Sequence, residues 1–355
     1  MRNRTNRAIF SLHLVFSLLT LLNTALSQKA FSQIHGTVKD AQTGNPLSDV
    51  NIFLANTTIG TASGLAGDFI IERAPQGNYD LIFSRIGYEV LVRKIGIIGQ
   101  KELMLNVRLQ PKPIVGEEIT IEAKELENWK KDYKKFLKLF VGESQNAGRT
   151  QIVNPYVLNF LNDEKSRKFY AFSDSVLIIE NHALGYEMQI VFNRFELDRD
   201  RLIYGFYSRY LEMKPVDALQ KIQWMRQRKE AFRGSFRHFL TALVENRVAE
   251  EGFELYQIMS LDRVGASRKI DLKKERLIQP DIREGVFLFR FDLYLGVRYV
   301  RKGFPSDDVS ESVLSLNAPY AKIDSLGNIL NGYAITIRGD WTQRRIPDLL
   351  PLDFH

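Results

Sequence analysis

The chain has 355 residues, of which 45% are hydrophobic and 26% charged. This composition is typical of folded globular domains and excludes a disordered chain, a collagen and a multi-span membrane protein. The length predicts two folded domains. Cysteine is absent, which excludes disulfides, Cys-ligated zinc, iron–sulfur clusters and Cys nucleophiles. The formal charge of +7 falls to +4 without the three arginines of the first seven residues, so we expect no nucleic-acid partner.

Residues 1–27 have the pattern of a secretory signal peptide. Arg2, Arg4 and Arg7 give a positive start, residues 8–26 form an almost uncharged apolar run, and Ser27 follows as a small residue for cleavage. An uncleaved anchor is the alternative that the apolar run leaves open. In either case we predict an exported protein, periplasmic or associated with the outer membrane.

Residues 33–110 are predicted to form one small β-sandwich. Short runs of alternating apolar residues, such as Val50, Ile52 and Leu54, recur at a spacing of roughly ten residues and are separated by Gly, Pro and Asp. No stretch in this segment has helical periodicity.

Several motifs of this segment resemble the carboxypeptidase regulatory-like domain. They are Gly36-Thr37-Val38, Thr43-Gly44, Gly67-Asp68-Phe69, Pro75-Gln76-Gly77-Asn78-Tyr79 and Ile86-Gly87-Tyr88. The resemblance implies a transthyretin-like (prealbumin-like) sandwich with a carbohydrate-binding-like fold. Such domains occur beside metallocarboxypeptidases and at the front of TonB-dependent outer-membrane receptors. They serve folding, docking or binding and carry no catalytic residue.

The catalytic neighbours of that domain are not recognisable in the remainder of the chain. A zinc carboxypeptidase needs a His-x-x-Glu pair. The histidines within residues 28–354 are His35, His182 and His238. The residues three positions after them are Val38, Gly185 and Thr241, and none of these is Glu. The phosphate-binding, dinucleotide-binding and nucleophile-elbow motifs are absent as well. We therefore predict no metal and no cofactor, assign no catalytic residue, and favour a protein that is not an enzyme.

Residues 111–149 are predicted to form a linker with an amphipathic helix. Trp129, Tyr133, Phe136 and Phe140 recur at helical spacing, while the other face of the segment Lys124–Lys138 is rich in lysine. The favoured interpretation is a solvated helix face. The alternative is a peripheral contact with an anionic membrane surface, a glycan or an acidic partner.

Residues 150–355 are predicted to form a β-rich α+β domain of unknown function that contains a helix pair. The first helix runs from Pro215 to about Phe232, Gly234 ends it, and Ser235 caps the second. The predicted fold class is therefore mainly β.

Four blocks of this half and its linker give a second resemblance. They are Trp129 to Ala147, Glu180 to Tyr186, Ala231 to Leu240, and Asp348 to Phe354. They resemble exported proteins of Bacteroidota-type bacteria, in which a carboxypeptidase regulatory-like domain precedes an uncharacterised C-terminal domain. The resemblance implies an envelope location and no known activity.

Two of these blocks concentrate polar residues that suit ligand binding. The candidate ligand-binding residues are Glu180, His182, Tyr186, Arg233, Arg237 and His238. Histidines beside a carboxylate and arginines can bind an anion or move protons near neutral pH. In the structural alternative, Asn181 and Gly185 form a turn, Ser235 caps a helix, and Arg237 covers its surface.

Two functional hypotheses follow. The first is a non-catalytic cell-envelope protein whose sandwich docks to or binds a protein or glycan partner. The alternative is an exported hydrolase that acts on glycan or peptide through the C-terminal domain. The sequence gives no prediction for the oligomeric state.

Overall fold

The computed structural model describes residues 31–99, 102–112, 123–163, 165–261, 267–283, 285–301 and 309–354. The predicted signal peptide lies outside these residues. The predicted fold class is confirmed, because strands predominate and an N-terminal sandwich precedes a β-rich part with a helix pair. Within the described ranges, no helix is long and apolar enough to span a membrane.

The N-terminal sandwich consists of two facing sheets. Its strands are β1 (Phe31–Asp40), β2 (Asn51–Leu54), β3 (Gly60–Ala62), β4 (Asp68–Pro75), β5 (Gly77–Ser84), β6 (Leu91–Ile97) and β7 (Glu102–Leu109). One sheet has the order β4-β1-β7 and the other β3-β2-β5-β6. Alternation along each strand turns one set of side chains inward, so Ile34, Ile52 and Phe83 form the core.

A second unit, the helix–sheet unit, covers residues 123–212. Helix α1 (Ala123–Phe140) packs on a six-stranded sheet. The strands are β8 (Thr150–Ile152), β9 (Leu158–Asp163), β10 (Lys168–Ser173), β11 (Leu177–Asn181), β12 (Tyr186–Asp198) and β13 (Arg201–Glu212). β12 pairs with β11 and β10 along one side and with β13 along the other.

The aromatic face of α1 provides the core of this unit. Phe136 and Phe140 are fully buried, and their rings contact Phe192 and Phe195 at centroid distances of 4.9–6.1 Å. Buried aromatic pairs of this kind each add roughly 1 kcal/mol beyond their buried area. The membrane contact considered for the lysine face of α1 stays a prediction.

The helix pair leads into a third unit, the C-terminal unit (residues 236–341). Helix α2 (Ala218–Phe232) begins at Asp217, whose side chain accepts from the amide of Gln220 at 2.7 Å. Helix α3 (Phe236–Val244) begins at Ser235, whose hydroxyl accepts from the amide of His238 at 3.0 Å. Both are side-chain caps of the kind that start helices.

Two further sheets complete the C-terminal unit. The five-stranded sheet has the order β15-β14-β18-β19-β21 and the three-stranded sheet β16-β17-β20. The strands are β14 (Phe253–Ile258), β15 (Ser267–Lys269), β16 (Ile278–Pro280), β17 (Val286–Phe289), β18 (Tyr294–Val300), β19 (Val309–Leu316), β20 (Ala321–Asp324) and β21 (Ile335–Gly339). Residues 150–355, which the sequence analysis treats as one domain, contribute to two separate hydrophobic cores, one in the helix–sheet unit and one in the C-terminal unit.

The sandwich and the helix–sheet unit meet through backbone and core contacts. The amide of Tyr210 in β13 donates to the carbonyl of Thr57 at 2.9 Å. Beside this bridge, Phe53 and Ile82 of the sandwich pack with Val191 of β12 in a small separate core. The two units therefore share an apolar interface as well as backbone bonds.

Asp324, at the end of β20, is a buried carboxyl that is only partly satisfied. It is 1% exposed, and its Oδ1 accepts from the amides of Leu326 and Asn328 at 2.9 and 3.0 Å. Its Oδ2 has no hydrogen-bond partner. Burial raises the pKa of Asp324 to about 6, because the charged form is poorly solvated there.

The raised pKa of Asp324 predicts how the free energy of unfolding changes with pH. The folded protein binds the proton of Asp324 more tightly than the unfolded chain does, so the free energy of unfolding falls as the pH rises from about 4 to about 6. Asp324→Asn keeps the Oδ1 acceptor and removes the charge. We expect this variant to be more stable than the wild type at pH 8 by about 1–3 kcal/mol, measured by urea unfolding.

Asp281→Asn provides a control of opposite sign. Lys322 lies 3.1 Å from the Asp281 carboxylate and holds its pKa below the usual range. This variant should be less stable than the wild type at pH 8, and the difference should shrink as the pH falls. Parallel pH profiles for the wild type and Asp324→Asn would contradict the prediction.

Candidate functional site

Glu180 and His182 lie together at the end of β11. His182 Nε2 is 3.0 Å from Glu180 Oε2, which also accepts from the side-chain amide of Gln151 at 2.8 Å. The His182 carbonyl accepts from Trp224 Nε1 at 2.9 Å. The pair is partly exposed, and α2 fixes the backbone beside it.

Tyr186 is buried under an arginine that the sequence analysis did not single out. The guanidinium of Arg228 lies 3.8 Å from the Tyr186 ring centroid and donates to the carbonyl of Leu184 at 2.7 Å. The neighbouring Gly185 adopts φ 70°, and a Cβ there would approach the ring of Trp224 to 2.2 Å. Burial raises the pKa of the Tyr186 hydroxyl. Arg228 lies on α2, so the sequence around Tyr186 does not indicate that this arginine covers the ring.

Arg237 uses its guanidinium entirely on backbone carbonyls. It donates to the carbonyls of Leu326 at 3.0 Å, Pro351 at 2.6 Å, Leu352 at 2.6 Å and Phe354 at 3.1 Å. Burial lowers the pKa of Arg237 from its ordinary value, although an arginine remains charged at any physiological pH. The side chain therefore holds the end of the chain against α3.

His238 is buried and neutral. Its Nδ1 accepts from the amide of Gly234 at 3.0 Å, so the ring proton resides on Nε2, 3.2 Å from Glu251 Oε2. Burial lowers the pKa of His238, and Glu251 opposes that shift. Arg233, by contrast, is exposed and pairs with Glu230 at 3.2 Å.

The structure brings together only part of the predicted set. Arg237 and His238 line one cavity of about 220 Å³ with Glu245, Arg247 and Glu251. Glu180, His182, Tyr186 and Arg233 do not line it. The ligand-binding role of the six side chains stays a prediction.

The C-terminal tail (residues 344–354) is where the four sequence blocks meet. Asn146 donates to Asp348 Oδ1 at 2.8 Å, and Asn181 donates to the Pro347 carbonyl at 2.9 Å. The tail also reaches the sandwich, because Asp353 Oδ1 accepts from the amide of Thr58 at 3.0 Å. Each block therefore contributes to one set of contacts around the tail.

A larger cavity opens where the three units meet. This junction cleft has a volume of about 1090 Å³. Its walls include Asn78, Asp80 and Lys94 of the sandwich, Asn193, Tyr204, Gly205 and Tyr207 of the helix–sheet unit, and Arg283, Lys322 and Tyr333 of the C-terminal unit. The side chains of Asn78, Asp80, Lys94 and Asn193 make no hydrogen bond or ion pair with other described residues.

Tyr333 is the most unusual residue of the junction cleft. It is 44% exposed and adopts φ 65°, a left-handed conformation that is uncommon outside glycine. A Cβ on Gly205 would lie 2.7 Å from the Tyr333 hydroxyl and 3.8 Å from Asn193 Nδ2. Glycine at position 205 thus leaves room for the Tyr333 ring. On the paired strand β12, a β-bulge at Asn193 interrupts the pairing with β13 next to Gly205.

Sequence reasoning did not identify the junction cleft. β21 begins at Ile335, and Tyr333 precedes it. The Asn331-Gly332 pair before it is a turn signal that was available. Among the described residues, no three His, Asp or Glu side chains cluster so that they could hold a metal ion.

The role of Arg237 gives a stability prediction. Arg237→Ala would leave three tail carbonyls and that of Leu326 without their donor, so we expect a loss of about 2–4 kcal/mol in the free energy of unfolding. Arg233→Ala is the matched control, and its exposed pair with Glu230 should contribute less than about 1 kcal/mol. Equal urea midpoints for the two variants would contradict this role for Arg237.

Comparison with solved structures gives only distant likenesses. The pilus 2b backbone protein of group B streptococcus is 15% identical over 24% of this chain and 43% of its own, with a TM-score of 0.19. A cohesin–X-dockerin complex of Acetivibrio cellulolyticus is 16% identical over 28% and 73%, with a TM-score of 0.20. A proposed carbohydrate-binding protein of Bacteroides uniformis is 7% identical over 88% and 100%, with a TM-score of 0.20.

These values are too low to support an argument about fold or function, and the chain spans less than half of the streptococcal protein. No curated protein matches the chain. The comparison with protein families is more specific, since residues 34–121 match the CarboxypepD_reg-like domain. The resemblance to this domain that the sequence motifs predict is thereby confirmed for residues 34–121, which include most of the N-terminal sandwich.

Proposed function

We propose that this chain is a non-catalytic cell-envelope protein that binds a glycan in the junction cleft. The observation that carries the proposal is the composition of the cleft wall. An exposed tyrosine ring, Tyr333, stands near Asn78, Asp80, Lys94 and Asn193, whose side chains have no hydrogen-bond or ion-pair partner among the described residues. The envelope location rests on the pattern of residues 1–27.

The chemistry of the wall suits a sugar. A pyranose has apolar C–H faces that pack on aromatic rings, and Tyr204, Tyr207 and Tyr333 offer such rings. Its hydroxyl groups both donate and accept, as the side-chain amides of Asn78 and Asn193 do. Because ligand pockets commonly measure about 300–1,000 Å³, a cleft of about 1090 Å³ has room for an oligosaccharide.

The same wall argues for binding without hydrolysis. Glycosidases use two carboxyl groups that flank the scissile bond. Asp80 is the only acidic residue among the described residues that line the junction cleft. The described part of the cleft wall therefore supplies one of the two carboxyl groups that a glycosidase needs.

The backbone of Tyr333 supports the proposal independently. A non-glycine residue in the left-handed region costs about 1–3 kcal/mol, and such strain concentrates at ligand sites. The strained residue here presents an aromatic ring to a cavity of about 1090 Å³. A residue with no role beyond the turn would be replaced by glycine without loss.

Tyr333→Gly tests this site because it removes the ring and relieves the left-handed backbone. The full mature chain would be screened against bacterial and plant cell-wall oligosaccharides, and the strongest ligand titrated by calorimetry. We expect Tyr333→Gly to weaken binding about tenfold or more. The melting temperature should be unchanged or slightly higher.

Tyr156→Ala is the matched control, since Tyr156 is 80% exposed and lies outside the cleft. It should leave affinity unchanged. Binding that survives Tyr333→Gly would contradict the proposed site, and a wild type that binds no oligosaccharide would contradict the proposed ligand. Crosslinking to a recurrent envelope protein, without glycan, would favour a docking function instead. Among the described strands, β6 lies at the edge of its sheet and borders the cleft, so it is one place where such a partner could add a strand.

A further inference from the structure

A second cavity lies between the two sheets of the C-terminal unit. This arginine groove has a volume of about 390 Å³. Its floor is apolar, with Leu277 and Leu295 buried, and its walls include Phe291, Tyr294 and Tyr320. It shares no lining residue with the junction cleft, so a ligand here would bind independently of one there.

Two arginines in the groove have no partner. The side chains of Arg276 and Arg290 are exposed, line the cavity, and make no hydrogen bond, ion pair or ring contact with any described residue. The amide of Arg290 donates to the carbonyl of Leu277 at 2.8 Å. That backbone bond places the two arginines on adjacent segments.

The pairing of other arginines in this unit makes these two stand out. Arg268, next to the groove, is held by both oxygens of Glu275 at 2.7 and 2.9 Å and by the side-chain carbonyl of Gln257 at 2.8 Å. Arg298 and Arg247 also form ion pairs with glutamates. Among the described arginines of the C-terminal unit, the unpaired guanidinium groups are thus the two that line the cavity.

The charge balance of the groove favours an anion. Glu275 lines the groove, but Arg268 already neutralises its charge. Asp292 is then the remaining acidic group opposite the two guanidinium groups of Arg276 and Arg290. One positive charge is left without compensation.

We infer that the arginine groove binds an acidic sugar through its carboxylate. A planar guanidinium matches a carboxylate with two parallel hydrogen bonds. The aromatic walls suit the apolar face of a pyranose ring, and the Asp292 carboxylate can accept from a sugar hydroxyl. The ligand class is therefore a uronic acid, alone or as a unit of an acidic glycan.

The test uses the full mature chain and D-glucuronate as the probe, with D-glucose and acetate as comparison ligands. D-glucuronate and D-glucose differ at C6, while acetate carries the carboxylate without the ring. We expect D-glucuronate to bind about tenfold or more tightly than either. Equal binding of D-glucose would overturn the role of the carboxylate, and equal binding of acetate would overturn the role of the ring.

The double variant Arg276→Ala/Arg290→Ala should lose at least about tenfold in affinity for D-glucuronate. Lys221→Ala/Arg226→Ala removes the same charge from the exposed face of α2 and should bind like the wild type. A comparable loss in this control would show a general charge effect and overturn the site.

A charge-conserving variant distinguishes loss of ligand recognition from loss of folding. Arg276→Lys/Arg290→Lys keeps both charges and removes the planar donor pairs. We expect it to keep the wild-type melting temperature and to bind D-glucuronate several-fold more weakly. Unchanged affinity in this variant would overturn recognition by the guanidinium groups.

Discussion

The arrangement of the three units depends on the C-terminal tail, and the tail depends on Arg237. Burying a guanidinium is costly unless its donors are satisfied. Arg237 meets this condition with four backbone carbonyls, three of which belong to the tail. The tail can supply them because it has no strand partner, so its carbonyls are not used in a ladder.

The same contacts hold the walls of the junction cleft. Arg237 donates to the Leu326 carbonyl, in the turn that leads to Asn328 and Tyr333. The amide of Leu352 donates to the carbonyl of Asn56, which lines the cleft from the sandwich side. A change in the tail would therefore shift two walls of the cleft. The tail also packs on the core of the helix–sheet unit through Ile346, Leu349 and Leu350, and Tyr204 and Phe206 of that core line the cleft.

The sequence predicted those parts of the fold that local patterns determine. Alternation and turn residues define the sandwich, and Ser235 marks the start of α3, because each signal acts over a few residues. The tail contacts are not local, since Thr58 and Asp353 are 295 positions apart. From its residue type, Arg237 could be predicted to bind a ligand. Its actual partners are backbone carbonyls, and a pattern of side chains in the sequence does not indicate them.

The junction cleft could not be found from the sequence for a related reason. Its residues come from three units, and spacing along one element does not connect Lys94 with Asn193 or Tyr333. The left-handed backbone of Tyr333 and the open space at Gly205 become visible only in three dimensions. Each chain segment, taken alone, carries an ordinary polar or aromatic residue.

Arginine shows why partners are more informative than residue types. Arg228 is buried over Tyr186 with its donors used, and Arg237 is buried with its donors on the tail. Both contribute to stability, because truncation would leave protein acceptors unpaired. Arg276 and Arg290 have the same chemistry but are exposed and have no acceptor among the described residues, so their donors face solvent and are open to a ligand. What distinguishes them from exposed cations such as Lys221 and Arg226 is that they line a cavity beside aromatic side chains.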